Sequence, residues 1–231
     1  LDKDFALSVQ TILESGGRVV VTGIGKSAII AQKIVATMNS TGTPSLFMHA
    51  ADAIHGDLGM IQPKDVIICI SKSGNTPEIK VLVPLLKREG NPLIAITANR
   101  ESFLATQANY VLYAYTQKEA CPNNLAPTTS TTAQLVMGDA LSVVLMRMKS
   151  FGSEDFAKYH PGGALGKRLY LTVGEAIVRN QVPSVAPDTD IRQVIVEISQ
   201  KMLGVTAVLE GDTIVGVITD GDIRRMLSRY E

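Results

Sequence analysis

Five short apolar runs, each rich in β-branched residues and each set off by a helical pattern, constrain this chain most. They are Arg18–Thr22, Ser45–Met48, Asp65–Ile70, Pro92–Thr97 and Tyr110–Ala114. Between them lie helical patterns near Lys26–Asn39, Asp52–Met60, Pro77–Glu89 and Glu101–Ala108. Strands that alternate with helices in this way predict a five-stranded parallel sheet with helices on both faces, an α/β fold of flavodoxin type. The unbroken apolar stretch before Ser71 reads as a strand buried on both sides. Ligands of such sheets bind beyond the carboxyl ends of the strands, so the segments just after each run are where function is to be sought.

The segment after the third run is Ser71-Lys72-Ser73-Gly74-Asn75-Thr76-Pro77-Glu78. Thr76 can cap a helix that Pro77 opens at its first position. Three hydroxyls, a glycine turn and a helix N-terminus then converge, and a phosphate is the natural occupant of such a point. The ordinary alternative is a polar strand-to-helix loop. The first run ends in Gly23-Ile24-Gly25-Lys26-Ser27. A nucleotide-binding Walker loop would need glycine at position 20, where Val20 stands. A dinucleotide fingerprint would need an acid at the end of the second strand, which instead ends Phe47-Met48-His49. What remains is a glycine turn at which Gly25, Lys26 and Ser27 can meet a sugar phosphate.

With 231 residues, 45% of them hydrophobic and 19% charged, the chain is long enough for a large domain and a small one. Its formal net charge is zero and no basic face stands out, which argues against nucleic acid or an anionic membrane as partner. Cys69 and Cys121 make no disulfide framework and suit a reducing cytoplasm. No apolar run is long enough to span a bilayer, and no signal segment precedes the opening helical pattern Leu1–Glu14, which reads as continuing from earlier residues. A long helix, Thr131–Lys149, follows the hydroxyl-rich Pro127-Thr128-Thr129-Ser130. Phe151–Arg168 is rich in glycine and reads as an ordered functional loop.

The three histidines, His49, His55 and His160, all fall near strand ends or glycine turns. Each alone is more often structural than catalytic. Together they could collect an adventitious divalent metal, but their spacing matches no standard zinc signature and no metal is required. Glu78 can be a first-turn acid of its helix, and Glu119 can be a surface charge. Either could instead serve as a general base beside a phosphosugar.

The segments Ser40-Thr41-Gly42-Thr43-Pro44-Ser45, His55-Gly56-Asp57-Leu58-Gly59-Met60, Lys118-Glu119-Ala120-Cys121-Pro122, Leu125-Ala126-Pro127-Thr128, Met137-Gly138-Asp139-Ala140 and His160-Pro161-Gly162-Gly163-Ala164-Leu165-Gly166 join the two glycine loops in one pattern. That pattern resembles the sugar isomerase (SIS) domain and, more narrowly, the arabinose-5-phosphate isomerase family. The resemblance runs over Gly16–Leu169. It implies an aldose–ketose isomerase that interconverts D-ribulose 5-phosphate and D-arabinose 5-phosphate through an enediol, with no cofactor. Lys26, His55, Glu78, Glu119 and His160 fall on the family's proposed active-site positions, and Ser71, Ser73 and Thr76 on its phosphate loop. Lys72, where relatives commonly carry asparagine, is one departure. Asn75-Thr76-Pro77, in place of a more acidic, serine-rich stretch, is another. Of the carboxylates, Glu119 is the first choice for the base and Glu78 the second. Lys26 and a histidine can stabilise the enediolate, and His55 or His160 can shuttle protons.

The resemblance further implies a homotetramer with sites at subunit contacts and a product that feeds synthesis of Kdo for lipopolysaccharide or capsule. Beyond Thr172 the pattern changes to a β-α-β-β-α unit. Val185 opens a strand, Thr189–Met202 is a helix, Val205–Leu209 and Thr213–Ile218 form a hairpin, and Asp220 caps a last helix. Its Gly216-Val217-Ile218-Thr219-Asp220-Gly221-Asp222 resembles one cystathionine-β-synthase (CBS) motif, in which Thr219 and Asp222 would contact a regulatory nucleotide. CMP-Kdo is the candidate, and support of assembly is the plain alternative. The expected domains are 1–170 and 171–231. Two rival readings are an isomerase for another phosphosugar and a non-catalytic sugar-phosphate sensor. The KEACP and HPGGALG segments count against the first. The lack of a helix-turn-helix module in this sequence counts against the second.

Overall fold

The computed structural model describes residues 2–163, 166–167, 169, 172–174 and 182–229. The chain divides into two compact units, Leu1–Gly166 and Lys167–Glu231. The boundary expected between residues 170 and 171 lies outside the described residues.

The first unit is built on five parallel strands, β1 (Val19–Gly23), β2 (Ser45–His49), β3 (Val66–Ile70), β4 (Leu93–Thr97) and β5 (Tyr110–Tyr113), in the order β2-β1-β3-β4-β5. Every residue of β1, β3 and β4 is buried, which is why these runs show no in–out alternation. Alternate side chains serve two cores. Val19, Val21, Ile68, Ile70, Ile94 and Ile96 pack against α1 (Lys3–Ser15), α2 (Lys26–Ser40) and α6 (Thr129–Met148). Val20, Ile67, Cys69, Leu93 and Ala95 pack against α3 (Ala50–Ala53), α4 (Pro77–Arg88) and α5 (Phe103–Gln107). Burial pushes the Cys69 thiol up to about 12, so it is an inert core group. The helices α2 and α6 approach closely at Gly138, where a Cβ would meet Ile34 Cδ1 at 2.3 Å.

Four local expectations are corrected. The helix expected over Asp52–Met60 is α3 and a 3-10 turn, Asp57–Met60, separated by Gly56 at φ 135°. That conformation ends any regular helix. The glycine-rich segment after Phe151 is not all loop. It holds α7 (Ser153–Tyr159), whose Asp155 carboxylate accepts the Gly152 N–H. The helix α5 starts later than expected, because the Ser102 hydroxyl accepts from Ala105 N and caps it. In the second unit, Thr219 rather than Asp220 caps the last helix.

That second unit is a three-stranded sheet, β6 (Ser184–Val185), β7 (Val205–Glu210) and β8 (Thr213–Thr219), with β6 and β7 parallel and β7 and β8 antiparallel. It packs α8 (Ile191–Lys201) and α9 (Asp220–Leu227) through Val194, Ile198 and Ile223.

The floor of the first unit is tied by a buried ion pair. Asp65, fully buried, accepts from Arg18 N, Arg18 Nε and Gln62 N, and its other contact, to Arg18 Nη2, is 2.7 Å. Burial alone would raise this carboxyl, but the Arg18 guanidinium and the backbone donors hold it below its ordinary value. A depressed folded value contributes stability above the unfolded carboxylate range and loses it as pH falls through the folded value. Asp65→Ala is expected to cost about 3 kcal/mol, because it leaves Arg18 unpaired. The same variant should flatten the acid limb of the stability–pH profile in urea unfolding.

Candidate active site

The loops after β1 and β3 lie side by side, because these strands are neighbours in the sheet. The chain passes from β1 to one edge and returns past it to β3, so this is the switch point where a crevice opens. A cavity of 330 Å³ occupies it, lined by Ile24, Lys26, Ser27, Ile70, Ser71, Lys72, Ser73, Thr76, Pro127, Ser130, Thr131 and Gln134. Lys26 and Ser27 open α2, Thr76 precedes α4, and Ser130 and Thr131 stand in the first turn of α6. The positive ends of three helices therefore converge on one space.

The loop that carries Ser71 and Ser73 is held in a single conformation. Gly74 sits at φ 65°, and a Cβ there would meet Ser102 Oγ at 2.2 Å, so only glycine fits. Ser71 Oγ accepts from Gly74 N at 3.1 Å, and Ser73 Oγ accepts from Asn75 N at 3.3 Å. Each hydroxyl proton stays available to a ligand. Thr76 has the extended backbone of a helix cap, yet its side chain makes no cap hydrogen bond. Its Oγ1 is buried and has no partner among the described residues. A buried hydroxyl without a partner is costly, and a phosphate oxygen at the start of α4 would satisfy it. Gly25, at φ 57°, turns the chain so that α2 starts beside this group. Ser27 donates to Gln134 Oε1 at 3.2 Å, which fixes that hydroxyl against α6.

Of the residues expected at the site, the cavity brings together Lys26, Ser27, Ser71, Ser73 and Thr76, with Gly25 adjacent. Glu78, in the first turn of α4, and His55, exposed after α3, do not line the cavity. His49 ends β2 and faces Asp52 at 3.6 Å. His160 is elsewhere. It follows α7, stacks on Phe156 and meets Phe156 O through Nδ1 at 2.8 Å. The segment that carries it leaves the far end of α6, which runs 20 residues from the cavity, about 30 Å at 1.5 Å per residue. Lys149 at that end bonds Gly42 O, on the amino side of β2. The histidines form no common site, and among the described residues no three metal-ligating side chains gather.

Glu119 is not a surface charge. Its side chain is 1% exposed. It accepts from Thr128 N at 2.8 Å, Ser130 N at 3.1 Å, Thr128 Oγ1 at 3.3 Å, Ser130 Oγ, and Lys72 Nζ at 2.6 Å. The Lys72 ammonium, the Ser130 hydroxyl and the α6 backbone hold its carboxyl far below the ordinary range. A carboxylate so saturated is a weak base, and it serves as the anionic cap of α6. Its acidic character was readable in the sequence, but its partners were not. Gln134 and Ser130, both buried and both at the cavity, carried no signal beyond a hydroxyl-rich helix start. In the second unit, Thr219 and Asp222 are engaged with each other. Thr219 Oγ1 accepts from Asp222 N at 3.2 Å, and Asp222 Oδ2 accepts from Thr219 N at 2.9 Å, a reciprocal helix cap. Asp222 also pairs with Arg225.

The fold and this crevice define a phosphosugar-handling SIS domain joined to a CBS unit. The SIS domain family matches residues 12–144 and the CBS domain family residues 173–229. The chain belongs to the arabinose 5-phosphate isomerase family. It is 50% identical over 231 residues to an arabinose 5-phosphate isomerase of Francisella tularensis, covering 98% of this chain and 70% of that protein. The isomerase of Pseudomonas aeruginosa is 50% identical over 228 residues, with the same coverage of each. An Escherichia coli CFT073 protein solved in complex with arabinose 5-phosphate is 45% identical, with a TM-score of 0.67. That match covers 68% of this chain and 84% of the other.

Thr76→Val removes the unpartnered hydroxyl and keeps the shape. Its melting temperature should stay equal or rise slightly, because no cap bond is lost. Its affinity for inorganic phosphate, read by calorimetry, should fall about ten-fold, the worth of one hydrogen bond to a charged group.

Proposed function

We propose that this chain interconverts D-arabinose 5-phosphate and D-ribulose 5-phosphate. The single observation that carries the reading is the buried, unpartnered Thr76 hydroxyl at the start of α4, inside a cavity lined by two lysines and further hydroxyls. Ser71, Ser73, Thr76 and the first-turn N–H groups of α4 hold the phosphate, and that binding energy positions the sugar carbons. A base takes the proton from carbon 2 of the open-chain aldose. Oxygen 1 gains a proton to give the enediol, which is then protonated at carbon 1 while the hydroxyl proton on oxygen 2 leaves, giving the ketose. Glu78 takes the base role ahead of Glu119, because among the described residues its carboxylate makes no hydrogen bond, whereas Glu119 is saturated with donors. Lys26 offsets charge on the enediolate oxygen. His55 relays hydroxyl protons.

His160 lies far from its own chain's cavity, which supports a role in a neighbouring subunit's site within a homotetramer. The apolar residues Ile29 on α2 and Val136 and Val143 on α6 are more than 60% exposed, and they supply a face for self-association. Val136→Glu with Val143→Glu should lower the mass seen by light scattering and reduce turnover together. If mass and turnover both held, the shared-site reading would be wrong. The enzyme works in the cytoplasm, and among the described residues no helix is long and apolar enough to cross a membrane. Its product feeds Kdo synthesis, and CMP-Kdo acts as a feedback ligand of the CBS unit.

Proton NMR in deuterated buffer tests the reaction. D-arabinose 5-phosphate should give ribulose 5-phosphate with solvent deuterium at carbon 1, while ribose 5-phosphate and glucose 6-phosphate should not react. Binding without conversion in every tube would make the chain a sensor instead.

A further inference from the structure

Lys72 stands between the two serines of the phosphate loop. Its backbone is fixed by β4, since Lys72 O accepts from Ala98 N at 3.0 Å and Thr97 Oγ1 at 3.1 Å. Its ammonium reaches Glu119 Oε1 at 2.6 Å. The two partners differ sharply in exposure, 47% for the Lys72 side chain and 1% for Glu119. A carboxylate offers about four lone-pair sites, and Glu119 already accepts from two N–H and two hydroxyl donors of residues 128 and 130. Three of these donors fall on Oε2 and one, Ser130 Oγ, on Oε1, so Lys72 completes the set and leaves Glu119 no site to spare.

The lysine is in the opposite position. An ammonium has three donors. One goes to Glu119, and among the described residues the other two have no protein acceptor. The side chain lines the same cavity as Lys26, Ser71, Ser73 and Thr76. A free lysine stem is flexible and expensive to order. Here a carboxylate that is itself clamped to the start of α6 fixes where the charge stands. Lys26 comes from the loop after β1 and Lys72 from the loop after β3, so the two cations enter the crevice from its two sides.

We infer that, on the phosphosugar reading above, Lys72 is a second cation that contacts the bound phosphate dianion, and that Glu119 is a positioning residue that aims it. The carboxylate then acts on the substrate through the lysine rather than by taking its proton. The ligand class is a sugar phosphate whose dianion spans the space between the two loops.

The test compares the full chain with Lys72→Met, Lys72→Arg, Glu119→Gln and the double variant Lys72→Met/Glu119→Gln. Inorganic phosphate binding is read by calorimetry, KM and kcat for D-arabinose 5-phosphate by turnover, and folding by melting curves. Lys72→Met is expected to weaken phosphate binding and raise KM ten-fold or more, with a less than three-fold change in kcat. Lys72→Arg should recover most of the phosphate affinity. Glu119→Gln should raise KM in the same direction, and the double variant should be no worse than Lys72→Met, because the two act as one unit. Phosphate affinity and KM within two-fold of the parent in Lys72→Met would overturn the assignment. So would a hundred-fold loss of kcat in Glu119→Gln with phosphate affinity intact. If Glu119→Gln fails to fold, Lys72→Met against Lys72→Arg still decides. A parent that binds phosphate but turns over no sugar would defeat the isomerase reading alone, and the calorimetric comparison would still judge Lys72.

Discussion

The convergence of three helix starts on one crevice is the constraint from which the rest of the first unit follows. Strand order β2-β1-β3-β4-β5 sends α2 to one face of the sheet and α4 to the other. The loops that lead into them are left as neighbours with nothing between. Each helix start brings unpaired N–H groups and a partial positive charge. Placed together, these positive ends favour a negative charge between them. The protein answers with one resident anion, Glu119, at α6. It leaves α4 open, with the Thr76 hydroxyl unpartnered beside it.

This division explains why two carboxylates close to one crevice differ in chemistry. Glu119 is ringed by five donor contacts, including an ammonium, which favour its charged form and strip it of basicity. Glu78, at the first turn of α4, has no such ring. Environment rather than residue type separates a structural carboxylate from a reactive one. The same logic makes Lys72 more than a counter-ion, because its side chain lines the cavity and two of its three donors have no acceptor among the described residues.

The sheet could be read from the sequence because strands buried on both faces are apolar without interruption, and Val19–Val21 and Val66–Ile70 could be little else. The turn after β3 and the start of α4 were also readable, since Ser71, Ser73, Gly74 and Pro77 are local turn and helix-start chemistry. What escaped was non-local. Glu119's role depends on residues 72, 128 and 130, and no spacing rule ties these together. Gln134 meets Ser27 only because α2 and α6 pack at Gly138. His160 looked like a site residue by its glycine-rich surroundings, yet α6 carries its segment away from the crevice. In the CBS unit, Thr219 and Asp222 cap one another, a use that the ligand-binding pattern alone does not distinguish from nucleotide contact.

The most direct test is a crystal structure of the full chain with D-arabinose 5-phosphate. The phosphate is expected at the start of α4, with an oxygen within hydrogen-bond distance of Thr76 Oγ1 and of the Ser71 or Ser73 hydroxyl, and with Glu119 still bound to the α6 backbone. A phosphate seated away from this helix start, with Thr76 Oγ1 still unpartnered, would contradict that expectation.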